Sequence, residues 1–324
     1  MADLGDWAFP EPMQPDPGKL EFDLHRVLNA VVQVRAEIPD EAFTAAILGT
    51  ERVGNGVVIR DDGLVLTIGY LITEAQTVWL TSNTGALVAG YPMAYDFATG
   101  FGLVMPMGHL PVPALRLGSS AQRAVGDDVI VVGHGGRAHS LKASIFAKRE
   151  FAGYWEYLID DAMFTSPGHP QWGGAAVVDS NGELIGIGSL LVEENVDGEQ
   201  TQGNMIVPVD LLPPVLEAML STGQGLSPVR PWLGMYMSES DSQLAVVGIA
   251  PGGPAETAGI RQGDLIIEVA GHRVVSLADL FRQIWSLGAA GVEVPLTLAR
   301  NSGLTRVKAR SIDRNDLLWK PRLH

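Results

Sequence analysis

Gly54-Asn55-Gly56-Val57-Val58-Ile59-Arg60-Asp61-Asp62-Gly63-Leu64-Val65-Leu66-Thr67-Ile68-Gly69-Tyr70-Leu71-Ile72 is the stretch whose reading decides the fold. Two short β-type runs, Val57-Val58-Ile59 and Leu64-Val65-Leu66, flank an Asp-Asp-Gly turn in which the glycine supplies the backbone freedom for a tight reversal. The same pattern recurs outward from there. Val129-Ile130-Val131-Val132 and Leu184-Ile185-Gly186-Ile187 are further short apolar runs, and Asn181-Gly182 is a further turn signal. Many short strands with frequent turns, from Val27 to about Val209, read as a barrel or sandwich. Pro208 is followed by a helical spacing of Leu212, Val215, Leu216 and Met219 that closes this region.

Three segments carry a more specific pattern. The first, quoted above, resembles the opening motif of the HtrA/Deg family of trypsin-like proteases, where the second strand leads into Thr-Asn-x-His-Val-Val. Without a gap, the family's catalytic His falls on Tyr70. Asp96-Phe97-Ala98-Thr99-Gly100-Phe101-Gly102-Leu103-Val104 is similar to the family's Asp-Pro-x-Thr-Asp-Leu-Ala-Val-Leu, with the triad Asp on Gly100. Pro113 to Ser120 and Val125 to Gly133 match the stretch that follows it. Trp172-Gly173-Gly174-Ala175-Ala176-Val177-Val178-Asp179 resembles Asn-Ser-Gly-Gly-Pro-Leu-Val-Asp, with the nucleophile on Gly173. The resemblance implies a mainly β fold, a chymotrypsin/trypsin-like double β-barrel.

Acyl transfer on such a scaffold needs a hydroxyl nucleophile, a base of near-neutral pKa and a carboxylate to orient that base. Glycine offers no side chain for either outer role, and an ordinary phenol is only about 0.1% ionised at pH 7. Losing the Ser or the His alone typically costs about a millionfold in turnover. The resemblance puts the oxyanion donors on the Gly168-His169-Pro170-Gln171-Trp172-Gly173 turn, where Gln171 replaces a glycine. Ser166 and His169 lie close to the lost nucleophile and His134 sits in the glycine-rich Gly133-His134-Gly135-Gly136 turn; all three are expected as exposed loop residues rather than a relocated triad.

The C-terminal region carries a second resemblance. Leu244-Ala245-Val246-Val247-Gly248-Ile249-Ala250-Pro251-Gly252-Gly253-Pro254-Ala255 and Ala258-Gly259-Ile260-Arg261-Gln262-Gly263-Asp264-Leu265-Ile266-Ile267-Glu268-Val269-Ala270-Gly271 are similar to a bacterial PDZ domain. Such a domain adds a peptide strand to a sheet edge and captures the terminal carboxylate with backbone N–H groups of a glycine loop. The matching loop is Trp232-Leu233-Gly234-Met235, followed by Tyr236 and Met237. Leu277, Leu280, Phe281 and Ile284 fall on one helical face as the other wall of an open groove.

The expected organisation is a flexible acidic, proline-rich arm over 1–22, a protease-like domain over 23–221, a linker over 222–229, a PDZ domain over 230–315 and a tail over 316–324. The family's trimers imply that Trp7 and Phe9 of the arm could serve as an intersubunit clasp. A net charge of −15 disfavours nucleic acid, and no apolar run reaches the about 18 residues needed for a membrane span. No metal or nucleotide motif is present and no cofactor is expected. Met1 to Pro10 has no basic segment followed by an apolar run, so a cytoplasmic location is expected, or a periplasmic one if a leader has been removed. The functional expectation is a non-catalytic binder of protein C-termini or unfolded segments. The alternatives are an active serine endopeptidase with non-standard residues, and a partner subunit of an active relative; a homo-trimer is the oligomer the resemblance implies.

Overall fold

The computed structural model describes residues 7–196, 199–225, 228–240, 243–300 and 303–319. Parts of three sequence expectations, at 1–6 in the arm, 226–227 in the linker and 320–324 in the tail, lie outside the described residues. The chain divides into two compact units: 1–149 with 161–225 and 319–324, and 150–160 with 226–318.

The first unit contains two closed six-stranded barrels. The first barrel comprises β1 (Val31–Glu37), β2 (Glu51–Val58), β3 (Val65–Ile68), β4 (Thr77–Ser82), β5 (Leu87–Tyr95) and β6 (Phe101–Pro106), in the order β1-β2-β3-β6-β5-β4. The Asp61-Asp62-Gly63 turn joins β2 to β3 as expected: Gly63 has φ +88°, and Val57 pairs with Leu66. β3 is buried along its whole length, and its one polar side chain, Thr67, is satisfied by donating its hydroxyl to the Asn55 carbonyl at 2.6 Å.

The second barrel comprises β7 (Asp128–Val132), β8 (Ser140–Gly153), β9 (Tyr157–Ser166), β10 (Ala176–Val178), β11 (Leu184–Val196) and β12 (Glu199–Pro208), in the order β10-β11-β12-β9-β8-β7. At the Asn181-Gly182 turn the Asp179 carboxylate accepts the N–H groups of Asn181 (2.9 Å) and Glu183 (3.1 Å), while Gly182 takes φ +73°. The closing helix runs over Pro213–Thr222 and buries Val215 and Met219.

Residues 7–22 differ from the flexible lead-in expected of them. Phe9 N–H donates to the Ala138 carbonyl (2.9 Å), Arg137 Nε donates to the Pro15 carbonyl (2.8 Å), and Phe9 and Met13 pack on the second-barrel core. The acids and prolines suggested a solvated chain, but the apolar residues between them find a surface. Trp7 and Phe9, suggested as a trimer clasp, meet rings of their own chain: Trp7 lies edge-on to His139 at 4.5 Å, and Phe9 edge-on to His169 at 5.1 Å.

The second unit is built on a sheet of order β13-β14-β15-β17-β18: β13 (Met235–Ser240), β14 (Gln243–Ile249), β15 (Leu265–Val269), β17 (Glu293–Arg300) and β18 (Gly303–Arg310). The short β16 (His272–Arg273) pairs with β15. A helix over Leu277–Ser286 is capped by Ser276, whose Oγ accepts the Asp279 N–H at 3.1 Å. The outer ends of β8 and β9, residues 150–160, belong to this unit; Leu158 sits in its core cluster with Met235, Met237, Leu280 and Ile284. Among the described residues no helix is long and apolar enough to cross a membrane.

Candidate functional site

Tyr70 lies in the short turn Gly69–Leu71 that follows β3. Its hydroxyl donates to the Ser189 carbonyl at 2.8 Å, and burial pushes the phenol above its ordinary pKa, so it remains protonated near neutral pH. Its main chain is held from behind by Arg52, which is 4% exposed. Arg52 Nη1 donates to the carbonyls of Tyr70 (2.7 Å) and Thr73 (3.1 Å), and Nη2 donates to the Thr44 hydroxyl (2.8 Å). That hydroxyl in turn donates to Glu74, whose carboxylate also accepts the N–H groups of Phe43 (2.9 Å), Thr44 (2.7 Å) and Trp319 (2.6 Å). Burial pulls the guanidinium down to about 10 against the opposing charge of Glu74.

Gly100 has φ +86°, and its carbonyl accepts the Gly69 N–H at 2.7 Å. The carboxylate of the same motif, Asp96, is turned into its own loop. It accepts from Thr99 N–H (3.0 Å), the Thr99 hydroxyl (2.6 Å) and Ala98 N–H (3.3 Å).

Gly173 sits on a turn fastened by Asn55 of β2. Asn55 N–H donates to the Gly173 carbonyl (2.7 Å), Asn55 Nδ2 donates to the Gln171 carbonyl (2.8 Å), and Asn55 Oδ1 accepts the His134 N–H (2.7 Å). A Cβ placed on Gly173 would stand 2.9 Å from the Tyr70 hydroxyl oxygen. The positions aligned with base and nucleophile are therefore spatial neighbours, and the phenol stands against the place where a side chain at 173 would begin.

His169 corrects the expectation of an exposed loop residue: it is fully buried. Its Nε2 lies 2.9 Å from the His139 carbonyl and its Nδ1 accepts the Gln171 N–H at 3.0 Å, which assigns the proton to Nε2. Both ring nitrogens are thus engaged by main chain. Burial lowers its pKa to about 4, so the ring is neutral at pH 7. The imidazole of His134 is likewise pushed below its ordinary value by burial. Gln171 N–H, at a position the resemblance gives to an oxyanion donor, points at His169.

In the second unit, Gly234 takes φ +76°, and a Cβ there would meet the Trp232 ring at 2.8 Å and the Ala250 Cβ at 2.9 Å, so the loop geometry requires glycine. Leu277, Leu280, Phe281 and Ile284 are all buried, as are Trp232, Leu233, Met235 and Met237; Tyr236 is half-buried. The groove expected to be open is filled. The Glu156 carboxylate accepts N–H groups from Leu233 (3.1 Å), Gly234 (2.7 Å) and Met235 (3.1 Å), and the Tyr154 carbonyl accepts Met237 N–H at 3.0 Å. Burial raises the Glu156 carboxyl to about 7, against the pull of those three N–H groups and of Arg314. Sequence reading missed Glu156, because its partners lie 77 residues or more away along the chain.

Residues 54–187 match the family model of the trypsin-like peptidase domain, and residues 231–310 match that of the PDZ domain. One chain thus carries a trypsin-like peptidase domain followed by a PDZ domain. Among curated relatives, a Chlamydia trachomatis protein named as a probable periplasmic serine endoprotease, DegP-like, is 27% identical, with 76% of this chain and 51% of that protein covered. This chain thus spans about half the length of the DegP-like relatives it matches. The serine endoprotease DegS of Salmonella typhimurium is 23% identical, covering 88% of this chain and 83% of its own. Among solved structures, the HtrA-type protease AlgW with a decapeptide superimposes with a TM-score of 0.54 at 18% identity, covering 92% of this chain and 98% of that one. The serine endoprotease from Yersinia pestis gives 0.52 at 20% identity, covering 91% and 99%. These likenesses agree with the mainly β, double-barrel and PDZ architecture.

Proposed function

We propose that this HtrA-type chain does not cleave polypeptide but binds it, its PDZ module taking protein C-termini or unfolded segments, so that it serves as a scaffold, regulator or chaperone-like binder. The observation that carries this reading is the Tyr70 hydroxyl lying 2.9 Å from where a Cβ on Gly173 would stand. A protonated phenol hydrogen-bonded to Ser189 offers no base, and glycine offers no nucleophile. Residual catalysis by an oxyanion hole alone reaches roughly a thousandfold over water, but the Gln171 N–H aligned with it is committed to His169.

The reading that an active endopeptidase has relocated its residues is disfavoured by His169, whose two nitrogens both face main chain. The peptide-binding half rests on the PDZ match over 231–310 and on three N–H groups of the glycine loop converging on one carboxylate. Groove walls of Met235 and Met237, with Leu280 and Ile284, suit an apolar C-terminal side chain.

Incubation with unfolded casein, followed by mass spectrometry, is expected to leave the casein intact. A library of peptides with free C-termini is expected to bind, and amidation to abolish binding. Chain-dependent casein fragments would overturn the first half of this reading, and equal binding of amidated peptides the second.

A further inference from the structure

The tip of the β8–β9 hairpin reads Gly153-Tyr154-Trp155-Glu156-Tyr157. Glu156 adopts φ +62°, a conformation that side-chain-bearing residues seldom take, and it does so while its carboxylate is buried in the glycine loop. Two residues earlier, the Tyr154 carbonyl takes the N–H of Met237 on β13, one rung of the bonding that an added strand would make. The two contacts have the spacing of a ligand: a carboxylate at the loop, and a main-chain carbonyl two residues upstream bonded to the strand beside it. Rings hold the tip in shape. Trp155 stacks on Tyr157 at 5.5 Å, Tyr154 meets Tyr236 edge-on at 6.3 Å, and a Cβ on Gly153 would collide with the Trp155 ring at 2.9 Å. At the hairpin's base, Arg282 of the groove helix pairs with both Glu150 and Asp160.

We propose that Glu156 is a built-in ligand of the PDZ groove: its side-chain carboxylate stands in for a terminal carboxylate, and peptides with free C-termini bind only by displacing the hairpin tip. This rests on the reading of the module as a peptide binder given above. The two occupants cannot coexist, because the N–H groups of Leu233, Gly234 and Met235 are the same donors a terminal carboxylate requires. Apparent peptide affinity is then the intrinsic affinity multiplied by the fraction of molecules with the tip released. The left-handed backbone at Glu156 favours release, while the charge-assisted hydrogen bonds and the Arg282 pairs favour docking.

The experiment uses the full chain and its Glu156→Gln variant. Glutamine keeps the side-chain length and one acceptor oxygen, but it removes the negative charge that the three N–H groups share and turns an NH2 group toward the Leu233 N–H. The probe is a fluorescein-labelled library of decapeptides with free C-termini, alongside its amidated counterpart, and affinity is read by anisotropy. Glu156→Gln is expected to bind the free-acid library at least tenfold more tightly than the wild type, with amidation abolishing binding in both. Equal, amidation-sensitive affinity of wild type and variant overturns the built-in ligand while leaving the peptide-binding reading intact. Equal binding of free and amidated peptides overturns both. Without any ligand, amide exchange at Leu233, Gly234 and Met235 is expected to quicken at least tenfold in the variant while the β17 and β18 amides keep their protection. Unchanged exchange at the three loop amides overturns the proposal.

Discussion

Replacing Arg52 by methionine is expected to lower folding stability by about 3–5 kcal/mol, the range for removing one partner from a buried charge network. The substitution leaves the buried Glu74 carboxylate without its opposing cation and strips donors from the Tyr70 and Thr73 carbonyls. Glu74 keeps its three N–H partners and the Thr44 hydroxyl, so the fold is expected to survive with a lowered urea midpoint and an unchanged slope. Arg52→Lys should fall in between, since one ammonium cannot reach the Gly49, Tyr70 and Thr73 carbonyls and the Thr44 hydroxyl together. A loss below about 1 kcal/mol, in the range of an exposed pair, would mean that this network does not hold the Tyr70 turn.

Writing the triad back into the chain is expected to yield no turnover. Gly173→Ser alone drives a Cβ against the Tyr70 hydroxyl, an overpacking worth about 1–3 kcal/mol of stability, and supplies a nucleophile without a base. Adding Tyr70→His relieves the contact. Adding Gly100→Asp places a side chain at φ +86°, at a cost of about 1–2 kcal/mol for the left-handed backbone. Because triad residues act as a unit, single and double variants should show none of the roughly millionfold gain that a working triad confers. Even the triple variant keeps the Gln171 N–H turned to His169. Casein hydrolysis followed for each variant checks this series, and cleavage by Gly173→Ser alone would contradict it.

Much of the architecture was legible in the residues because its signals are local. The Asp61-Asp62-Gly63 and Asn181-Gly182 turns announce their hairpins by composition, and Gly63 and Gly182 do take positive φ. The resemblance alone assigns the triad positions to Gly100 and Gly173, whereas the Gly234 loop is readable because glycine there has a backbone role. What could not be read depends on partners far along the chain. His169 looked like a loop residue, but its burial is secured by the His139 carbonyl and by Asn204 Oδ1, which accepts its N–H at 2.6 Å. Residues 7–22 looked solvated, and the surface that Phe9 and Met13 cover is made by a barrel more than a hundred residues later. Glu156 carries no local mark of its role: an acid between aromatics at a hairpin tip is ordinary until the glycine loop is brought to it.

The central claim, a peptidase fold without a nucleophile, is tested most directly by treating the purified chain with a fluorophosphonate probe and measuring its intact mass. No adduct is expected, since Gly173 carries no hydroxyl and the Tyr70 phenol is protonated and hydrogen-bonded to the Ser189 carbonyl. A stoichiometric adduct that disappears in a Ser166→Ala variant would contradict the account by locating an activated serine in the chain.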